Sequence, residues 1–132
     1  MAVGETDDPN AIIESYKAEA PIAKGDPVYL SSDGKVSAAA AAQDCIGVAV
    51  KAAPAEAPCP VLVRGRVKVK AGGVIHRGKA VYGADATKRI LELSDQAIDE
   101  AGSATYTITY NQKLATALQT TAEADDLLFI QL

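Results

Sequence analysis

The chain has 132 residues, enough for one domain, with 13 Lys and Arg against 17 Asp and Glu and a formal charge of −4. That mild acidity is the wrong balance for a dedicated nucleic-acid binder, and no stretch approaches the roughly 20 apolar residues of a membrane-spanning helix. The apolar fraction is 48%, but 26 residues are Ala, Trp is absent and Phe129 is the single Phe, so the core has to come from 11 Val, 9 Ile and 9 Leu. So lean a core invites oligomerisation for extra burial.

Taken in chain order, Met1 to Asn10 is polar, carries Asp7-Asp8-Pro9, and has no apolar run of the kind a signal peptide needs. Residues 1–17 are expected to form a flexible N-terminal arm ahead of a single β domain over 18–132. Ile12, Ile13 and Tyr16 fall at the end of that arm, either as a first edge strand or as the part that docks on a neighbouring subunit. Pro21 to Pro27 is a turn built on Gly25 and two prolines, and it leads into the β-prone run Val28-Tyr29-Leu30. Asp33-Gly34 then suits the tip of a tight hairpin. Ala38 to Ala42 has the propensity for one helical turn, although so short a run nucleates poorly. Cys45 to Val50 reads as a short apolar strand, and Pro54, Pro58 and Pro60 mark a loop after it.

The clearest alternation follows. Val61, Val63, Val67 and Val69 sit at odd positions, and Arg64, Arg66, Lys68 and Lys70 at even ones. A period of two places the valines on one face of a strand and the four cations on the other. Gly65 falls on the valine face, where it marks a bulge or a close backbone approach. Beyond the Ala71-Gly72-Gly73 turn comes Val74 to Tyr82. Residues 95–104 read as loop, Thr105 to Tyr110 as a strand, residues 113–124 as a short helix or a loop, and Leu127 to Leu132 as a buried closing strand.

Ile22, Gly25, Val28 and Tyr29 recur as Ile75, Gly78, Val81 and Tyr82, each pair 53 residues apart. In this Ile-x-x-Gly-x-x-Val-Tyr pattern the Ile anchors a segment in the core, the Gly permits a tight turn and Val-Tyr opens a strand. Val48-Ala49, Glu56-Ala57 and Val61-Leu62-Val63 find a weaker echo in Leu114-Ala115, Glu123-Ala124 and Leu128-Phe129-Ile130. The expectation is an all-β protein, a small barrel or sandwich built from two similar β units over about 18–70 and 71–132, with at most short helices.

Catalytic constellations are missing from the sequence. His76 is the only His and has no nucleophile signature beside it, and with Cys45 and Cys59 it supplies too few ligands for zinc. The two Cys read as small, partly buried, reduced residues. Gly72-Gly73 lacks the Lys-Ser/Thr ending of a phosphate loop. Asp7-Asp8 and Asp125-Asp126 are adjacent pairs, which read as solvated turn carboxylates rather than as an acid–base couple. The row Arg64-Arg66-Lys68-Lys70 is the strongest charge feature. It serves either as a solvated, edge-protecting face or as an electropositive patch for an acidic partner. No aromatic interleaves with it to stack on bases, so nucleic acid is not the expected partner.

Ile22 to Leu30, Gly34-Lys35-Val36, Ile46 to Ala49, Val67-Lys68-Val69, Lys113 to Ala117 and Asp126 to Leu132 together resemble the tailed-phage capsid decoration, or cement, proteins. The resemblance runs from about residue 18 to the C-terminus. It implies a compact, commonly trimeric β fold on the outer surface of a mature capsid, made in the host cytoplasm. The major capsid protein would be its partner, and it would have no cofactor, no metal and no catalytic residue. Candidate capsid or subunit contacts are then Ile12, Ile13 and Tyr16 in the arm and Arg64, Arg66, Lys68 and Lys70 in the cationic row. Two rival readings remain. Ile-x-x-Gly-Asp-x-Val also resembles β-clip domains that bind carbohydrate or sugar acids. A biotinyl or lipoyl carrier would present a Lys at a turn, as at Lys35 or Lys79, but neither has the flanking residues of such a site.

Overall fold

The computed structural model describes residues 1–93 and 113–132, so the loop expected over 95–104 and the strand expected at Thr105 to Tyr110 lie outside the described residues. Ten strands and no helix are present among those described. They are β1 (Ile12–Ala18), β2 (Pro27–Ser32), β3 (Lys35–Ala38), β4 (Cys45–Ala49), β5 (Pro58–Arg64), β6 (Arg66–Lys70), β7 (Ala80–Gly83), β8 (Ile90–Glu92), β9 (Ala115–Ala117) and β10 (Leu127–Gln131). The fold is therefore all-β. β1 to β5 close into a barrel in the order β1-β3-β2-β4-β5, and the remaining strands form a sheet in the order β6-β10-β9-β7-β8.

The pairings repeat strand for strand. β5 joins β1 to β4, β4 joins β2, and β2 joins β3; β10 joins β6 to β9, β9 joins β7, and β7 joins β8. Closure is complete in the first unit and only vestigial in the second. β1 meets β3 in parallel at Ala18↔Val36, and Ala71, just after β6, meets Ile90 in a single parallel bridge. Each unit thus begins with β1 or β6, earlier than the motif alone indicates. The weaker echo has a different alignment from the one the sequence suggests: Val48 corresponds to Thr116, Ala49 to Ala117 and Val61 to Ile130, as their cross-strand partners show.

A shared local device opens four of these strands. A bridging residue is followed by a turn and then the strand, with Ile22 bridged to Ala53 and Ile75 to Thr121. The turns pass through positive φ at Gly25 (92°), Glu56 (66°), Gly78 (85°) and Asp125 (71°). Two of the four positions are Gly, which reaches this conformation without a Cβ penalty, and only those two stand out as a sequence motif.

Several local expectations give way to tertiary pairing. The alternating stretch 61–70 is two strands, because Gly65, at φ 122°, carries the chain from the first unit to the second. Val61, Val67 and Val69 are buried and Val63 half-buried, but Leu62, on the opposite face of β5, is fully buried too. Leu62 and Val48 pack into the core of the second unit with Val67, Val69, Ile75, Val81, Leu128 and Ile130. Val61 instead packs inside the first barrel with Val28, Val36 and Cys59. β5 is therefore a wall with core on both faces. The Ala38–Ala42 run forms no helix: Ala38 ends β3 and the following residues bend. Residues 113–124 hold β9 and a turn, not a helix. β10 is only half-buried, with Leu128 and Ile130 inward and Leu127 and Gln131 exposed.

The arm also differs from expectation. Residues 12–17 belong to β1, paired with β5 along its length. Ahead of them, Gly4 N–H donates to Lys68 O at 2.7 Å and Lys68 N–H donates to Glu5 O at 3.0 Å. With Gly4 at φ 79°, two residues face one across this pair, the geometry of a glycine bulge. Gly25 lies so close to the Val3 side chain that a Cβ on it would overlap Val3 Cγ1. Composition alone makes this segment look free, because its attachments run through backbone groups, one small side chain and two surface ion pairs, none of which a local pattern announces.

Candidate functional site

The outward face of the second sheet is the most distinctive surface. On β6, Val67 and Val69 point inward, which turns Arg66, Lys68 and Lys70 outward. Across the ladder they stand beside Gln131, Phe129 and Leu127 of β10. Lys68 Nζ sits 4.5 Å from the centroid of the Phe129 ring, a cation–π contact, and reaches Gln119 Oε1 at 3.5 Å. Gln119 Oε1 also accepts the Phe129 backbone N–H at 2.9 Å, tying the β9–β10 connection to this face. Arg66 Nε pairs with Asp7 at 3.2 Å. Lys70 and Arg64 are exposed and make no ion pair among the described residues. Leu127 is 40% exposed and Leu118, which donates its N–H to Phe129 O, is also 40% exposed, so apolar surface adjoins the cations.

The structure brings the expected residues together only in part. Arg66, Lys68 and Lys70 share one face. Arg64 ends β5 on the other side of Gly65 and pairs with Ile12, so Ile12, Ile13 and Arg64 form a separate corner, both isoleucines being nearly half exposed. Tyr16 is half-buried against the first barrel's core, and its hydroxyl donates to Glu14 at 2.9 Å. That bond, then burial, then the Glu14 charge push the Tyr16 hydroxyl pKa up. Phe129 and Leu127, read from the sequence as part of a buried strand, belong to the outer face. Their odd spacing opposite the inward Leu128 and Ile130 is the signal that could have found them.

A second cluster was not visible in the sequence. A pocket of about 240 Å³ lies where the two units and the N-terminal segment meet, lined by Val3, Ala23, Lys24, Gly25, Asp26, Lys70, Thr87 and Lys88. Asp26 is 9% exposed and accepts the Ala23 N–H at 3.0 Å. Burial raises its carboxyl pKa, opposed by that N–H and by the Lys88 and Lys70 charges. Lys88, at φ 63°, is presented by a turn that Asp85 organises: Asp85 Oδ1 accepts from Thr87 N, Thr87 Oγ1 and Arg89 N, each at 3.0 Å. Burial pushes the Asp85 carboxyl up, but these donors and the Arg89 pairing outweigh it and hold it below the usual carboxylate range.

Elsewhere the chemistry is quiet. His76 is exposed and contacts Glu92 at 3.1 Å. Cys45 and Cys59 are buried free thiols, and burial, with the Asp44 charge, pushes Cys45 to about 12, far from the nucleophilic range. Among the described residues no group of three or more His, Cys, Asp or Glu is placed to hold a metal, and no helix is long and apolar enough to cross a membrane. An open depression of about 520 Å³ beside Tyr29, Leu30 and Ile46 carries no convergent polar groups beyond Gln43 and Asp44 at its lining.

Fold and surface together define a two-unit β protein with a cationic outer face on its second sheet. The phage cement protein family model matches residues 13–132, and the chain belongs to that family, whose role is structural and capsid-binding. No curated protein matches the chain. Among solved structures it is similar to the N base of the head fibre protein gp8.5 of bacteriophage phi29, at 15% identity and a TM-score of 0.60, covering 92% of this chain and 93% of that one. At that identity the likeness concerns the fold.

Proposed function

We propose that this protein decorates the outer surface of a mature phage shell as a homotrimer, contacts the major capsid protein and stabilises the shell, without any catalytic role. Membership of the cement family carries the reading. The outward face of the second unit supports it, because it offers three cations in a row beside exposed leucine and a half-buried Phe. Such a face suits an acidic surface with apolar patches, where complementary charge steers encounter and buried apolar groups hold the complex. Ile12, Ile13 and Arg64 supply a second contact corner, either to the shell or to a neighbouring copy. Ligand that binds only the expanded lattice stabilises it by mass action, and many copies on one shell add avidity. The carbohydrate-binding alternative is not favoured by the family match. Co-sedimentation with expanded shells lacking the protein tests the reading. Saturable binding that weakens with salt, and a higher shell melting temperature, are expected; no binding to expanded shells of the cognate phage overturns it. Light scattering in solution tests the trimer.

A further inference from the structure

Beside β6, the second sheet keeps a seam that this chain fills with its own N-terminal segment. β10 takes one edge of β6, and the parallel contact that would take the other is reduced to the single bridge Ala71↔Ile90. Into the remaining edge run residues 3–8, antiparallel to β6, bonded at Gly4, Glu5 and Lys68. Their side chains are held by Glu5–Lys24 at 3.3 Å and Asp7–Arg66 at 3.2 Å, both pairs about half exposed. Residues 2–11 contain Glu5, Asp7 and Asp8 and no Lys or Arg, whereas residues 65–93 contain seven Lys or Arg against two acids.

We propose that this seam is an acceptor for an extended acidic segment of the shell, added as a strand to β6, and that residues 3–8 occupy it as a displaceable stand-in. The identity of the partner rests on the capsid-binding reading above; the acceptor itself rests on four observations. A sheet edge adds an extended segment through main-chain bonds, and side-chain pockets supply the selectivity. The resident segment shows which charge the seam takes. Its hold consists of one bulged backbone pair, the packing of half-buried Val3 on Gly25, and two surface ion pairs, and surface pairs hold weakly. At its open end Lys70 and Lys88 make no ion pair among the described residues and border the 240 Å³ pocket, where Asp26 is the single carboxylate against three lysines. Finally, the family match begins at residue 13, so the seam lies within the part of the chain that the family shares and its present occupant lies outside it.

The test uses the full chain. Gly4→Ala unseats the resident segment while leaving every acceptor residue in place in the sequence, since a Cβ there would lie 2.6 Å from Lys24 Cγ and 2.7 Å from Gly25 N. A fluorescent peptide of residues 1–11 is the probe, with a version carrying Gln and Asn in place of Glu5, Asp7 and Asp8 as control. The peptide should bind the Gly4→Ala protein at least about tenfold tighter than the parent. Adding Lys24→Glu and Arg66→Glu, which reverse the partners of Glu5 and Asp7, or using the neutral peptide, should abolish that gain. If Gly4→Ala fails to melt cooperatively, the Glu5→Gln/Asp7→Asn protein serves in its place. A peptide that binds neither loosened variant, or binds regardless of its charge, overturns the acceptor. Peptide binding without shell binding retains the acceptor and overturns the capsid reading; shell binding without peptide binding does the reverse.

Discussion

The two β units share strand order, the first closed into a barrel and the second closed only by one bridge, but they use equivalent positions for opposite purposes. In the first unit, Val48 and Leu62 are fully buried because they plug the core of the second. Their counterparts in the second unit are Thr116 and Gln131, half-buried and exposed. The face that joins the units in one half is thus polar in the other, and the row Ile13, Ser15, Lys17 on β1 becomes Arg66, Lys68, Lys70 on β6. The repeated Gly shows the same divergence: Gly25 is buried under Val3, while Gly78 is exposed with nothing within 4 Å of a built Cβ. The scaffold turns this face inward at Val48 and Leu62 of its first copy, whereas the β1 row stays exposed and the equivalent face of the second copy points outward throughout.

The largest expected effect breaks the comparison at the shared wall. Leu62→Ala removes a fully buried side chain between two cores and should cost about 2–5 kcal/mol, while Gln131→Ala should stay within about 0.5 kcal/mol. Equal losses in chemical denaturation would show that the units are not joined through Leu62. Next come the paired glycines. Gly78→Ala should cost about 1 kcal/mol, the strain of positive φ alone. Gly25→Ala adds an overlap with Val3 and should cost about 3 kcal/mol; a smaller loss than at Gly78 would mean that Val3 does not sit on it.

Two aspartates should respond to pH in opposite directions. The Asp26 carboxyl is raised by burial, so its contribution favours the fold below the usual carboxylate range and is lost as pH rises through its folded value. Asp26→Asn should therefore gain stability relative to the parent between acid and neutral pH. Asp85 is held below its ordinary range, so its contribution is present at neutral pH and lost as pH falls. Asp85→Asn should be destabilised at neutral pH and converge on the parent in acid. Urea midpoints across that range decide both; parallel curves would discount the pocket's electrostatics. The smallest effect on folding is expected at the outward face. Arg66, Lys68 and Lys70 replaced together by Ala should change stability by under about 1 kcal/mol, Lys68 over Phe129 accounting for most of it, while the salt dependence of shell binding flattens. A large drop in melting temperature would give the row a structural role instead.

How far the fold could be read from the sequence follows the kind of force involved. Gly25 and Gly78 were legible because positive φ selects glycine, and Val28 and Val81 because a strand after such a turn is β-branched. Glu56 and Asp125 make the same turn with residues that do not announce it, so the second pair of strand openings was misaligned. The break at Gly65 hid inside a period-two pattern that continues on both sides of it. Leu62 sits at an even position like the cations and is buried all the same, because alternation assumes one buried face and β5 has two. On the site, the cation row was readable from its spacing. Its neighbours Phe129, Leu127 and Gln119, and the cluster of Asp26, Lys70 and Lys88, depend on long-range register that no local pattern encodes.

The central claim is that the second unit turns its β6–β10 face to the shell. The direct measurement is electron cryomicroscopy of expanded shells, lacking their own copies, mixed with the purified protein. The account predicts outer density in which Arg66, Lys68 and Lys70 meet the capsid subunits. Decorated shells in which that face points to solvent, or shells that remain bare, would contradict it.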